Sequence, residues 1–327
     1  MSEAERFLVT GALGCIGAWV LRNLAREGVP TVALDVGVDP VRPRMVMTPD
    51  ELSRVQFVQG DIRNTEATVA LVEEHSITHI VHLAGLQVPA CRANPALGVQ
   101  VNVLGTVNVL EAARRSQGRV RGLAYASSVA AMGPSEFYPQ RPVADDVPLR
   151  PETLYGVYKM ADEHIARLYW QDWRIGSVGL RPYIVFGVGR DQGVTSDIAK
   201  AILAAAADRP YHIHFDGLVG LQYVDDVARM FIAGARAAYH GAAACNLRND
   251  VMDVGHFVEI LIAEVPDAQI TVAHDQPLPF PADLDDSGLH AILGAVPHTP
   301  LPCAVRATLE QFGCLLSTGQ VDLSILD

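Results

Sequence analysis

The chain has 327 residues, half of them apolar and about a fifth charged, with a formal net charge of −12. That length supports one large domain or two modest ones, and the composition is that of a globular protein rather than a disordered or fibrous one. The acidic balance argues against a nucleic-acid backbone or an anionic membrane surface as partner.

Phe7 to Val9 reads as a buried strand, followed by glycines at a spacing of three, Gly11, Gly14 and Gly17. An apolar-periodic segment with Ile16, Trp19, Val20 and Leu24 then runs to Gly28. Strand, tight turn and helix follow one another. Glycine serves where backbone turns sharply or approaches a phosphate, and the helix start offers free N–H groups to an anion. This reads as the first unit of a dinucleotide-binding domain. A second strand, Thr31 to Leu34, ends in Asp35, placed to accept from adenosine ribose hydroxyls and to repel a 2′-phosphate. Val36 and Gly37 follow, with no Arg or Lys, so NAD(H) is expected over NADP(H).

A proline-rich loop is read at 39–49, then strands at 55–58, 79–83, 122–126 and 177–180. Helical periodicity marks the segment around Ala67, Leu71 and Val72, and the stretches 97–115 and 155–170. The alternation predicts a parallel sheet with helices on both faces and ligands beyond the carboxyl ends of its strands. After Arg181 the rhythm breaks into glycine-rich loops at 187–189 and 217–220, a helix from Asp225 to Ala238, and a proline-rich tail at 277–302.

Tyr155 and Lys159 are four apart on a predicted helix and share a face, while Tyr158 points elsewhere. A neighbouring ammonium and a cationic nicotinamide ring both favour the phenolate and pull a phenol down from its ordinary value near 10. Tyr155 is therefore the expected general base for an alcohol proton, with Lys159 tuning it and reaching the nicotinamide ribose. Ser128 closes the strand at 122–126 and is the expected anchor for the substrate oxygen; one of Ser127 and Ser128 is expected to satisfy turn backbone. No GxSxG surrounds Ser128, which argues against a serine hydrolase.

The motifs Thr10-Gly-Ala-Leu-Gly-Cys-Ile-Gly17, Asp35, Gly60-Asp61-Ile62, His82-Leu-Ala-Gly85, Asn102-Val-Leu-Gly-Thr106, Ser127-Ser128, Tyr155-xxx-Lys159, Arg181-Pro182 and Tyr223-Val-Asp-Asp226 occur in this order. In them the chain resembles the extended short-chain dehydrogenase/reductase family, also called the NAD-dependent epimerase/dehydratase family. The resemblance implies an α/β fold, a Rossmann-type doubly wound parallel sheet over 1–180 with a smaller C-terminal substrate region over 181–327, and 222–246 packing back onto the sheet. It implies NAD as cofactor, held by Gly11, Gly14, Cys15, Ile16, Gly17 and Asp35. Asp61 and Ile62 would contact adenine, Leu83, Ala84 and Gly85 would line the dinucleotide, and Pro182 would border nicotinamide. Ser128, Tyr155 and Lys159 would be the catalytic set. A homodimer built from helices near 97–115 and 155–170 is also implied.

Two departures bear on substrate. Sugar-nucleotide members usually carry Asn at the place of Ile184 and Arg at the place of Val219; neighbouring Leu218, Gly220 and Leu221 are uncharged. Without either donor a buried diphosphate would be left poorly paired. A small hydroxylated, carbohydrate-derived substrate is expected, with a sugar or nucleotide-sugar epimerase as the alternative and a non-catalytic NAD sensor as a third reading.

The remaining features are less specific. Cys15, Cys91, Cys245, Cys303 and Cys314 are scattered and read as reduced, buried residues rather than disulfides or a zinc site. His212 and His214 share a strand face without a third ligand, so no metal is expected, and they are candidates for the substrate pocket. Arg190, Gln192 and Thr195 fall in the substrate region, Arg190 as a possible carboxylate binder. Asp225 and Asp226 are read as helix caps and Asn102 as a structural hydrogen-bonder. The charged start Met-Ser-Glu-Ala-Glu-Arg shows no secretory pattern and no apolar segment is read as spanning a membrane, so a cytoplasmic location is expected.

Overall fold

The computed structural model describes residues 4–327, so Met1 to Glu3 of the charged start lie outside the described residues. Its centre is a seven-stranded parallel sheet of β1 (Phe7–Thr10), β2 (Thr31–Asp35), β3 (Val55–Gln59), β4 (His79–His82), β5 (Gly122–Ala126), β6 (Ser177–Arg181) and, later in the chain, residues Ala242–Asn246. The last strand pairs with β6, and the order across the sheet is 242–246, β6, β5, β4, β1, β2, β3. The order reverses between β1 and β4, and it is outside the carboxyl ends of the strands at such a point that ligands bind. Phe7, Leu8 and Val9 are fully buried, as parallel strands covered on both faces require.

Helices cover both faces. α1 (Cys15–Arg26) and the helix Val224–Arg236 pack together on one face, where Trp19, Val20 and Leu24 meet the core formed with Val227 and Phe231. The segments α2 (Val41–Val46) and α3 (Pro49–Ser53) border α1. The other face carries α4 (Thr65–Glu74) and a composite helix running 95–115. That composite is α6 (Pro95–Val99), a π-helical turn Gln100–Leu104 and α7 (Gly105–Arg115), preceded by α5 (Val88–Ala93). α8 (Leu154–Trp173) lies against it. The helix 95–115 is long and apolar enough by composition to cross a membrane, contrary to the sequence expectation. It is half buried against the sheet, with Asn102 and Asn108 fully enclosed.

Beyond β6 the chain builds two small sheets. In one, β7 (Ile184–Phe186) pairs in parallel with β9 (Leu218–Tyr223), which pairs antiparallel with β11 (Asp250–Asp253). In the other, β8 (Tyr211–Ile213) pairs with β12 (Ile270–Val272). The strand Ala242–Asn246, at one edge of the large sheet, is β10, and the helix Val224–Arg236 is α10. Around these sheets lie α9 (Asp197–Ala206), α11 (Val254–Glu264), α12 (Ser287–Leu293) and α13 (Leu301–Ser317).

Three local expectations are corrected. The loop read at 39–49 holds α2, whose Pro43 fits because its missing N–H falls in the first turn. The glycine-rich stretch 217–220 enters β9, with Val219 and Leu221 buried and Gly220 allowing the Tyr183 ring to approach within 3.2 Å of an added Cβ. The proline-rich tail contains α12 and leads directly into α13. Prolines there break the local pattern without preventing helices between them.

Candidate active site

The glycine turn is shaped by crowding. Gly11 has φ of +65°, and a Cβ there would sit 2.6 Å from the Ala84 backbone nitrogen. At Gly17 a Cβ would stand 2.4 Å from the Gly11 carbonyl oxygen. Side chains are thus excluded, and the backbone of β1, α1 and the segment after β4 converge. Gly14 is the N-cap of α1, with no side-chain cap and no acidic residue in the first turn. The helix start therefore presents unpaired N–H groups and the positive end of its dipole. Asp35 ends β2 beside this turn; its Oδ2 accepts from Leu13 N at 3.0 Å and its Oδ1 from Gly37 N at 3.0 Å.

A cleft of about 410 Å³ opens above this point. Gly11, Gly14, Cys15, Ile16 and Gly17 form one wall. Leu83 and Gly85 enter from the end of β4, Ser127 and Ser128 from the end of β5, Pro182 from the end of β6, and Tyr155 and Lys159 from α8. Ala84, Asp35, Asp61 and Ile62 do not line it. Asp61 sits at a separate depression with Arg63, whose guanidinium binds its carboxylate and holds it below the usual range. Ile62 is buried, with its side chain against Gly105.

Thr153 caps α8, its Oγ1 accepting from Gly156 N at 3.0 Å. One turn then stacks Lys159 beneath Tyr155, with Nζ 5.9 Å from the ring centroid. Tyr158 leaves the site and donates to the Pro95 carbonyl at 3.1 Å. Lys159 is buried, which opposes its charge, but the Asp162 carboxylate at 3.3 Å outweighs that and holds the ammonium above its ordinary value. Burial in turn pushes the Asp162 carboxyl up to about 6.

Ser128 Oγ accepts from Ala130 N at 3.2 Å, the turn-satisfying role expected of one serine in the pair. That bond uses a lone pair and leaves the hydroxyl proton free to donate. Ser127 is buried and donates to Glu163 Oε1. Glu163 is also gripped by Arg181, from Nε at 2.8 Å and Nη2 at 2.7 Å. Asn102 holds the loop after β4, its Oδ1 accepting from Leu86 N at 2.9 Å and its Nδ2 donating to Leu86 O at 3.2 Å. His82 lies between the hydroxyls of Thr10 at 2.7 Å and Thr106 at 3.2 Å, and burial pushes it down to about 3.

Arg190 and Thr195 line the cleft, joined at 3.1 Å, whereas Gln192 does not. His212 and His214 do not reach it: His212 meets Thr271 at 2.8 Å and His214 pairs with Asp197 at 2.9 Å, far exposed. Asp225 and Asp226 do not cap α10, whose N-cap is Tyr223. Asp225 accepts from Asn23 at 2.9 Å, and Asp226 accepts from Thr299 N at 2.6 Å. They tie α10 to α1 and to the C-terminal segment. No group of three metal-binding side chains occurs among the described residues.

Sequence reasoning missed the outer wall, Leu278-Pro279-Phe280, and the buried carboxylates Asp162 and Glu163. The wall comes from the proline-rich tail and carried no signal. Asp162 did carry one, since it is three residues after Lys159 on the same helix.

The sequence pattern of the NAD dependent epimerase/dehydratase family matches residues 7–247. The chain belongs to this family. It is 28% identical over 324 residues to a UDP-glucose 4-epimerase of Mycolicibacterium smegmatis, covering 94% of this chain and 98% of that protein. It is 26% identical to a mitochondrial L-threonine 3-dehydrogenase of Bos taurus, covering 95% and 84%. Among solved structures, a partial consensus L-threonine 3-dehydrogenase superposes with a TM-score of 0.82 at 22% identity, covering 94% and 99%. A Thermus thermophilus UDP-glucose 4-epimerase in complex with NAD gives 0.77 at 24%, covering 94% and 98%. The chain is an NAD-dependent enzyme of the extended short-chain dehydrogenase/reductase type. Its residues fit the cofactor: a backbone cradle that any Cβ would fill, at the uncapped start of α1.

Proposed function

We propose that this protein is a dehydrogenase acting on a small hydroxylated, carbohydrate-derived substrate, with Ser128, Tyr155 and Lys159 handling the proton. Bound NAD supplies a hydride acceptor in one direction and a hydride donor in the other. The Tyr155 phenolate takes the substrate hydroxyl proton as the carbonyl forms, and the phenol returns it in reverse. The Lys159 ammonium favours the phenolate. Ser128, with its proton free, donates to the substrate oxygen. Leu278, Pro279 and Phe280 keep water from that side of the cleft.

For the cofactor, Gly11, Gly14, Cys15, Ile16 and Gly17 would hold the pyrophosphate, and Asp35 would take the adenosine ribose and disfavour a 2′-phosphate. Asp61 and Ile62 would neighbour adenine outside the cleft, Leu83, Ala84 and Gly85 would follow the dinucleotide, and Pro182 would border nicotinamide. The observation that carries this reading is one cleft uniting the open start of α1 with Tyr155, Lys159 and Ser128.

Ile184 and Val219, where sugar-nucleotide members usually place donors, are both fully buried in strands, which supports a substrate without a diphosphate. A screen of alcohols, sugars, sugar acids and sugar nucleotides for NADH formation, with product stereochemistry, tests this. The likeness to UDP-glucose 4-epimerase supports a second reading, an epimerase that reduces and reoxidises bound NAD within a turnover. A dehydrogenase accumulates NADH with turnover; an epimerase inverts a stereocentre without doing so.

The assembly expected is a homodimer through the helices 95–115 and α8, where Val99, Leu104, Val157, Leu168 and Trp173 are exposed. A cytoplasmic location completes the reading; cell fractionation tests it, and recovery in a membrane pellet counts against it.

A further inference from the structure

We infer that Asp162 is a positioning residue: its carboxylate fixes the Lys159 ammonium beside the Tyr155 ring and, by partly offsetting that charge, sets how acidic the phenol is. The inference rests on Tyr155 being the base proposed above. Asp162 is fully buried, with Oδ2 3.3 Å from Lys159 Nζ, the Thr106 hydroxyl beside its carboxylate, and Oδ1 without a well-formed hydrogen bond. A pair so enclosed and incompletely bonded is a poor source of stability. Its contact with the lysine that lies beside the proposed base gives it a different role.

The surroundings leave Asp162 as the carboxylate that Lys159 faces. On α8, Glu163 is engaged by the Arg181 fork. From β4, His82 is uncharged at neutral pH because burial holds it near 3. From α5, burial raises the Cys91 thiol, and from β5, burial raises the Tyr125 phenol well above its usual value, so neither is ionised. Thr106 and Asn102 on the composite helix are neutral.

An ammonium alone strongly favours a nearby phenolate. An ammonium paired with a carboxylate acts nearer to a dipole, and its pull at the phenol oxygen is weaker. As long as the Lys159 ammonium keeps its proton, removing the Asp162 charge while keeping its shape makes Tyr155 the stronger acid.

The test is a titration of the full-length protein by ultraviolet phenolate absorbance, subtracting Tyr155→Phe in each background, with and without NAD. Asp162→Asn is expected to lower the Tyr155 midpoint by about one pH unit, a tenfold gain in acidity, in both states. Asp162→Ala is expected to move it the same way and is read in place of the Asn variant if that one fails to fold. An unchanged or raised midpoint overturns the inference, because a purely structural Asp162 lowers thermal stability without moving the phenol. The titration needs no substrate, so it stands apart from the activity of Tyr155→Phe, which tests the base itself.

Discussion

Gly17→Ala is the sharpest perturbation of the cofactor cradle. The added Cβ would sit 2.4 Å from the Gly11 carbonyl oxygen, 2.8 Å from that of Ala12 and 2.9 Å from the Ala12 carbonyl carbon. All three are backbone atoms, so no side chain can rotate away. Ordinary contacts of this kind lie near 3.4 Å or beyond, so the start of α1 must retreat by roughly 1 Å. Overpacking of this sort costs about 1–3 kcal/mol of stability. The same retreat pulls the α1 N–H groups off the pyrophosphate, and a loss of about 1.4–3 kcal/mol there weakens NAD binding by roughly 10- to 100-fold. Calorimetric titration with NAD, beside thermal melts with and without it, reads both effects. Gly28→Ala is the control: its φ of +71° imposes strain, but nothing lies within 4 Å of the new Cβ. It should lower the melting temperature and leave NAD affinity unchanged. Equal NAD affinity in Gly17→Ala and wild type would refute the cradle.

Other consequences can be measured independently. Asp35→Ala should weaken NAD binding and narrow the gap between NAD and NADP, seen in paired affinity titrations; an unaltered preference counts against the ribose assignment. Burial holds His82 at about 3, below its unfolded value near 6.5, so the unfolded chain binds a proton there that the native one does not. The stability it contributes is complete above pH about 6.5 and falls as pH drops toward 3, by up to a few kcal/mol. His82→Gln should remove that slope from the variant, so that the wild-type minus variant stability falls as pH drops from about 6.5 toward 3; parallel curves would show that the histidine titrates alike in the folded and unfolded chains. Leu168→Glu, on the exposed face of α8, should yield monomers on size-exclusion chromatography if the proposed dimer forms there.

The features legible in the sequence share a local cause. The glycine spacing of Gly11, Gly14 and Gly17 is set by a single turn, and the Tyr155–Lys159 offset by one turn of one helix. The end of β2 at Asp35 and the placing of Ser128 just beyond β5 followed from short apolar runs. Apart from Asp162, what was missed depends on distant partners. Arg181 reaches back to Glu163 and forward to Asn246, and Leu278-Pro279-Phe280 closes the cleft from far along the chain. β9 was misread because Gly217 and Gly220 suggested a loop, whereas Gly220 is there to admit the Tyr183 ring. His212 and His214 alternate as a strand pattern suggests, but the small sheet that holds β8 turns them away from the cleft.

The most direct measurement compares turnover and NAD affinity in wild type and Tyr155→Phe, using the best substrate from the NADH-coupled screen. Proton transfer through Tyr155 predicts that turnover falls by roughly 10²- to 10⁴-fold while NAD binding stays within about threefold. Turnover that survives the loss of the phenolic hydroxyl would contradict it.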